Sequence, residues 1–201
     1  MMKLIFSGFG GQGILTLGQI VATIAMNKGK KVTWMPSYGV EMRGGTANCT
    51  VIISDHIIGN PIVKTDFDVL CALNTPSIVK FLPKVRPGGL VLVNSSIVNE
   101  SITRDDVDAV YIDATNIALE VGSPKVQNMV MVAGLLMATD LFSTEDIRQV
   151  LEEKFRESNP ALIALNMAAV ERGGKAKSTY AEVARSADLT APDRKRTAKT
   201  T

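Results

Sequence analysis

The first residues able to do chemistry lie near the start of the chain, where Gly8-Phe9-Gly10-Gly11-Gln12-Gly13 places glycines at positions 8, 10 and 13. Glycine lets a backbone approach a ligand closely, and a helix starting there presents unpaired N–H groups to an anion. The spacing fits a dinucleotide-binding turn between a strand and a helix. That chemistry also needs a carboxylate about 20 residues on, at the end of the second strand, to hold ribose hydroxyls. The sequence there reads Met35-Pro36-Ser37. The expectation is therefore a different anion, or a packed subunit contact, in preference to NAD. A tight strand–helix turn without a ligand is the plainer alternative.

A second constellation is Pro36-Ser37-Tyr38-Gly39-Val40-Glu41-Met42-Arg43-Gly44-Gly45. Following a second strand, it would sit at the carboxyl edge of a parallel sheet, beside the glycine turn, where open α/β folds bind ligands. Arg43 ahead of two glycines offers a guanidinium fork and accessible backbone N–H groups to phosphate or carboxylate. Glu41 could pair with Arg43 or meet a partner, and a solvated loop is the competing reading. Asn94-Ser95-Ser96 closes a later strand at the same edge, so Asn94 is either a ligand donor or a turn former.

Other chemistry is sparse. His56 is the single histidine and reads as a surface imidazole. Cys49 and Cys71 lie far apart in apolar stretches with no CxxC, which excludes a cysteine-ligated Fe–S or zinc site. They read as buried reduced thiols, as expected in a cytoplasmic compartment. The Gly-x-Ser-x-Gly elbow and the P-loop pattern are both missing. Net charge is +2, too little for a nucleic-acid binder. The most apolar run, residues 129–138, is too short to span a bilayer and carries a methionine group (Met129, Met131, Met137) that reads as core or interface filling. No signal peptide is expected.

The elements that must position these residues are legible. The chain has 201 residues, 46% of them hydrophobic and only 5% aromatic, with mean hydropathy +0.16. That is one domain with an aliphatic core, strands buried on both faces or a face hidden in an assembly. Strands are expected at 3–7, 32–35, 46–54, 69–73, 90–93 and 109–112, with Pro36 ending the second and Pro87-Gly88-Gly89 turning into the fifth. Gly59-Asn60-Pro61 is expected to join two edge strands within 57–63. Helices are expected at 14–27, stopped by Gly29, and at 76–82, capped by Thr75. Further helices follow at 115–121 and 126–139, after a capping box at Ser143–Asp146, and from Asn159-Pro160 to Gly173-Gly174. The sum is an α/β fold: a three-layer, mostly parallel Rossmann-like sheet with an antiparallel excursion and a helical C-terminal third. Residues 1–187 form the single domain, and the basic segment 188–201 is expected to be a disordered tail.

The stretches GFGGQG (8–13), PSYGVEMRGGTANCTVIIS (36–54), LCALNTPSIVKF (70–81) and PGGLVLVNS (87–95) closely resemble the gamma subunit of 2-oxoacid:ferredoxin oxidoreductases, over residues 1–173. The pairing of GGQG with YGxExRGG at this separation is the specific part. The resemblance implies a heteromeric complex with alpha, beta and ferredoxin-like delta subunits and with ferredoxin. That complex decarboxylates a 2-oxoacid on thiamine diphosphate and Mg²⁺, passes electrons through Fe–S clusters and delivers acyl groups to coenzyme A. These groups would sit mainly on the partners, leaving this chain with no catalytic residue of its own. By the resemblance, Gly10, Gly11, Gln12, Gly13, Tyr38, Glu41, Arg43, Gly44, Gly45 and Asn94 are candidates for a coenzyme A contact or for the face that docks on the thiamine-bearing subunits. Val40 replaces the commoner proline of the second motif, and the form looks most like the 2-oxoglutarate and branched-chain members. The alternative is a free-standing nucleotide-binding protein.

Overall fold

Apolar residues alternate along the strands and sort onto two faces. Leu4, Phe6, Cys49, Val51, Val69, Cys71, Leu90, Leu92, Val110 and Ile112 point to one face; Ile5, Leu70, Ala72, Val91 and Val93 point to the other. The structure, a computed structural model, describes residues 1–38, 45–157 and 159–175. Among them are six strands: β1 (Met2–Phe9), β2 (Lys31–Tyr38), β3 (Thr46–Ser54), β4 (Phe67–Ala72), β5 (Val85–Asn94) and β6 (Val107–Ile112). They form one sheet in the order β2-β3-β1-β4-β5-β6. The β1–β4, β4–β5 and β5–β6 pairs are parallel, whereas β3 runs antiparallel to both β1 and β2. The mostly parallel α/β fold with an antiparallel excursion is thus observed.

Six α-helices are found among the described residues: α1 (Ile14–Asn27), α2 (Thr75–Phe81), α3 (Ala114–Val121), α4 (Gln127–Ala138), α5 (Thr144–Phe155) and α6 (Pro160–Lys175). Helix α1 and the C-terminal helices cover the first face, with Met129, Val132, Ile147, Leu151 and Val170 in its core. Helix α2 covers the other face through Ile78 and Phe81. Ile14, Leu17, Val21 and Ile24 are buried on α1, as their helical spacing requires. Gly29 ends that helix with φ +75°. Its N–H bonds the Met26 carbonyl and the Lys30 N–H bonds the Ala25 carbonyl, a Schellman closure.

Several expectations are corrected. Pro36 does not end the second strand, which runs to Tyr38. Strand β2 lies at the sheet edge, paired only with β3, so a missing N–H is tolerated. Pro87-Gly88-Gly89 lies inside β5, where the register against β4 jumps between Val85 and Leu90. The helix after β4 is capped by Asn74, whose side chain accepts from the Ser77 N–H, and not by Thr75. Residues 57–63 form no strand. The chain there runs from β3 to β4, and each of those strands already has two neighbours. Helix α6 continues through Gly173 and Gly174. A Cβ on Gly173 would stand 3.0 Å from the Ala133 Cβ and 3.2 Å from the Val130 carbonyl, so this glycine serves close helix packing. The tail expected at 188–201 lies outside the described residues.

The capping box at α5 is present: Ser143 Oγ accepts from the Asp146 N–H, and Asp146 accepts from the Ser143 N–H. Burial opposes ionisation of Asp146, but the Lys28 ammonium and the Ser143 N–H and hydroxyl outweigh it and hold its carboxyl below the usual range. The box therefore ties the end of α1 to the start of α5. Ser143→Ala is expected to lower unfolding free energy by about 1 kcal/mol, read from urea midpoints at pH 7. An unchanged midpoint would show that the cap contributes nothing.

Candidate functional site

The winding of the chain places the site. From β1 the chain passes through α1 to β2 on one side of the sheet; from β4 it passes through α2 to β5 on the other. The helices lie on opposite faces, so the loops after β1 and β4 part at the carboxyl edge, the switch point where open α/β sheets take ligands.

The glycine turn forms one wall. Gly11 has φ +93° and, among the described residues, nothing within 4 Å of the position its Cβ would take. Gly13 has φ +76° and caps α1 without any side-chain hydrogen bond. The first turn of α1 carries no acidic residue, which leaves its N–H groups available to an anion. Gln12 folds back across the wall. Its Oε1 accepts from the Phe9 N–H at 2.6 Å, and its Nε2 donates to the Leu73 carbonyl at 3.2 Å. The Leu73 N–H donates to the Ser7 carbonyl, extending the β1–β4 ladder beneath the turn.

The second motif meets the first. The Gly10 N–H donates to the buried Gly45 carbonyl at 2.9 Å, just beyond the β1–β3 pairing. Tyr38, at the end of β2, is 66% exposed and pairs across to Ala47. Both ends of the segment between β2 and β3 thus lie at the carboxyl edge of β1. Glu41, Arg43 and Gly44 lie outside the described residues.

Asn94 ends β5 at the same edge, but it is fully buried and its groups are engaged. Its Nδ2 donates to Thr115 Oγ1 and Gln127 Oε1, and its Oδ1 accepts from the Ser96 N–H. The turn-forming alternative describes it. Sequence reasoning missed three residues. Asn74, buried just after β4, caps α2, signalled only by the preference for asparagine over threonine at helix caps. Asn128 donates to the Gly13 carbonyl at 3.4 Å from 115 residues away, and Gln127 meets Asn94. No local signal could have found either. Together they make the first turn of α4 a polar brace between the loops after β1 and β5.

Metal chemistry has no footing among the described residues, where no group of three or more His, Cys, Asp or Glu could hold an ion. Cys49 and Cys71 are buried opposite Phe6 on the two strands that flank β1. No described helix is long and apolar enough to cross a membrane. A dinucleotide geometry fails as well, because antiparallel β3 separates β1 from β2.

An α/β domain whose two glycine-rich motifs meet at the switch point of a mostly parallel sheet is the class the geometry defines. Residues 3–176 match the family described as pyruvate ferredoxin/flavodoxin oxidoreductase, and the chain belongs to that family. It is 37% identical over 176 residues to the ketoisovalerate oxidoreductase subunit VorA of Methanothermobacter thermautotrophicus, an alignment covering 84% of this chain and 35% of that protein. The crystal structure of a keto/oxoacid ferredoxin oxidoreductase gamma subunit from Geobacter sulfurreducens superposes with TM-score 0.73 at 30% identity, covering 87% of this chain and 96% of that one. A 2-oxoglutarate:ferredoxin oxidoreductase from Magnetococcus marinus, with 2-oxoglutarate, coenzyme A and succinyl-CoA bound, superposes with TM-score 0.78 at 25% identity, covering 86% of this chain and 30% of that chain. The chain therefore spans about a third of the length of two of these three proteins.

Proposed function

We propose that this chain is the gamma subunit of a 2-oxoacid:ferredoxin oxidoreductase that converts a 2-oxoacid to acyl-CoA and reduces ferredoxin in the cytoplasm. The substrate is 2-oxoglutarate or a branched-chain 2-oxoacid, in keeping with the YGVEMRGG form of the second motif. Thiamine diphosphate, Mg²⁺ and the Fe–S clusters are assigned, by the resemblance, to alpha, beta and ferredoxin-like delta partners. This chain contributes the switch-point edge. The observation that carries the reading is the Gly10–Gly45 hydrogen bond, which brings the two family motifs to one edge.

The residues present suit coenzyme A. The turn at Gly11 and the bare N-terminus of α1 would receive a phosphate, and Arg43 would add a guanidinium. Coenzyme A supplies the thiol that accepts the acyl group. The residues of this chain bind and orient it, and the same edge docks on the thiamine-bearing subunits.

Purified alone, the chain is expected to be colourless and inactive. Co-expressed with alpha, beta and delta partners, it should restore coenzyme A-dependent 2-oxoacid oxidation with ferredoxin reduction. Arg43→Ala or Gly11→Val in that complex should raise the KM for coenzyme A or weaken assembly. The site assignment fails if both properties stay unchanged. Micromolar NAD binding by the lone chain in calorimetry would overturn the reading in favour of a free-standing nucleotide-binding protein.

A further inference from the structure

A cleft of about 200 Å³ lies between α1 and α5, away from the carboxyl edge, lined by Gln19, Ile20, Thr23, Val150, Glu153 and Lys154. Its floor is apolar, because Ile20 and Val150 are buried members of the core beneath the two helices. Its rim is polar, with Gln19, Glu153 and Lys154 all exposed. The Thr23 hydroxyl is engaged, donating to the Gln19 carbonyl of its own helix at 2.9 Å.

Lys154 bridges this rim. Its Nζ donates to Gln19 Oε1 at 2.8 Å, joining α5 to α1 across 135 residues of sequence. The acceptor is a neutral amide. Lys28 and Lys30 differ, since Asp146 and Asp55 hold their ammonium groups. Glu153 precedes Lys154 on the helix, and consecutive helical residues do not face each other. Among the described residues no carboxylate forms an ion pair with Lys154. The last turn of α5 favours a cation there. Partial burial against α1 outweighs this and brings the Lys154 ammonium below the ordinary lysine range. A reachable lysine with a neutral acceptor and a desolvated stem spends more of its time as the free amine, which is the nucleophile.

We propose that Lys154 is a site of covalent acylation, its Nζ taking a short aliphatic acyl group from an acyl-CoA thioester while the cleft between α1 and α5 receives the acyl chain. The amine attacks the thioester carbonyl carbon. A C–N bond forms, the C–S bond breaks, and coenzyme A leaves as a thiolate that takes up the proton lost by nitrogen. Nothing is oxidised or reduced. Gln19 Oε1 accepts one N–H and so orients the lone pair of the neutral amine. The inference rests on the proposed function only for the origin of the thioester, which a complex forming acyl-CoA would supply to its own subunit.

The test supplies the thioester directly. The full-length chain is incubated with isobutyryl-CoA at pH 8, and acylation of each lysine is followed by peptide mass spectrometry. Lys154 should react at least about fivefold faster than Lys28 and Lys30. Gln19→Glu sets a carboxylate on Nζ and should bring Lys154 down to their rate, with the melting temperature retained because position 19 is exposed. Succinyl-CoA should acylate Lys154 at least about threefold more slowly, since its free carboxylate would have to enter an apolar floor beside Glu153. In strong denaturant the three lysines should react alike. Equal native rates, or a Gln19→Glu chain that reacts as before, would overturn Lys154 as the acceptor. Equal rates with the two thioesters would overturn the cleft as the acyl site, as would a preference that survives in denaturant. Each of these failures leaves the proposed function standing, whereas an assembled complex that forms no acyl-CoA would remove that function and leave the reactivity of Lys154 intact.

Discussion

Gly13→Ala is expected to destabilise the protein by about 2–4 kcal/mol and to lower its melting temperature by roughly 5–15 °C. Two costs combine. Gly13 holds φ +76°, where an L side chain is strained. The new Cβ would also stand 2.6 Å from Asn128 Nδ2 and 2.9 Å from its Cγ, so the buried Asn128 amide must move and lose the Gly13 carbonyl. The backbone cost stays whatever occupies position 128, but the steric cost does not. Asn128→Ala should therefore be milder alone and should recover about 1–2 kcal/mol in the double variant. Strictly additive losses in urea titrations would show that Asn128 does not brace the turn. Under the proposed function the consequence runs the same way: a turn pushed off Asn128 misplaces the N–H groups of α1, so the KM for coenzyme A in the assembled complex should rise with the strain.

Much of this arrangement was legible in the residues because local chemistry sets it. The glycine spacing, the buried face of α1, the Schellman closure at Gly29 and the Ser143–Asp146 box each depend on a few neighbouring positions. What failed depends on tertiary placement. Pro36 would end a central strand, but β2 is an edge, and edges tolerate proline. Gly173 would end a free helix, but here it lets α6 press against Val130 and Ala133. Pro87-Gly88-Gly89 carries the composition of a turn, yet β4 on one side and β6 on the other hold it in a bulged strand. The expected strand pair at 57–63 lies on the run from β3 to β4, both of which already have two neighbours. At the site, the second motif was expected beside the glycine turn as a loop after a second parallel strand; Gly45 does meet Gly10, but because antiparallel β3 pairs with β1. Gln127 and Asn128 were invisible because their partners, Asn94 and Gly13, lie far away in sequence, whereas Asn74 caps α2 locally and was passed over for its neighbour Thr75. Asn94 showed the reverse: its position at the ligand edge was clear, but its burial and its bonds to Thr115 and Gln127 were not.

The two cysteines should be almost inert to thiol reagents in the native protein. Burial pushes the Cys49 thiol up to about 12, with only partial relief from Trp34 and the Gly18 backbone, and burial raises Cys71 as well. At pH 8 an ordinary thiol is about one-quarter ionised, whereas one titrating near 12 is ionised about once in ten thousand, a loss of roughly three orders of magnitude in reactive thiolate before steric exclusion is added. Labelling with dithionitrobenzoate should therefore be negligible over an hour in buffer and should reach two thiols in strong denaturant. Oxidation should not join them, because their strands are separated by β1 and stand about 9.6 Å apart, beyond the reach of a disulfide. The same shift carries a sign for stability. Above the ordinary value near 9 the unfolded chain gives up these protons while the folded chain keeps them, so stability is full below pH 9 and falls as pH rises toward 12. The slope from Cys49 approaches about 1.4 kcal/mol per pH unit, and Cys49→Ala should remove that part of it. Rapid native labelling, or urea midpoints that stay flat between pH 9 and 11, would mean that the strands flanking β1 open to solvent, and the rigid floor on which the site rests would be lost with them.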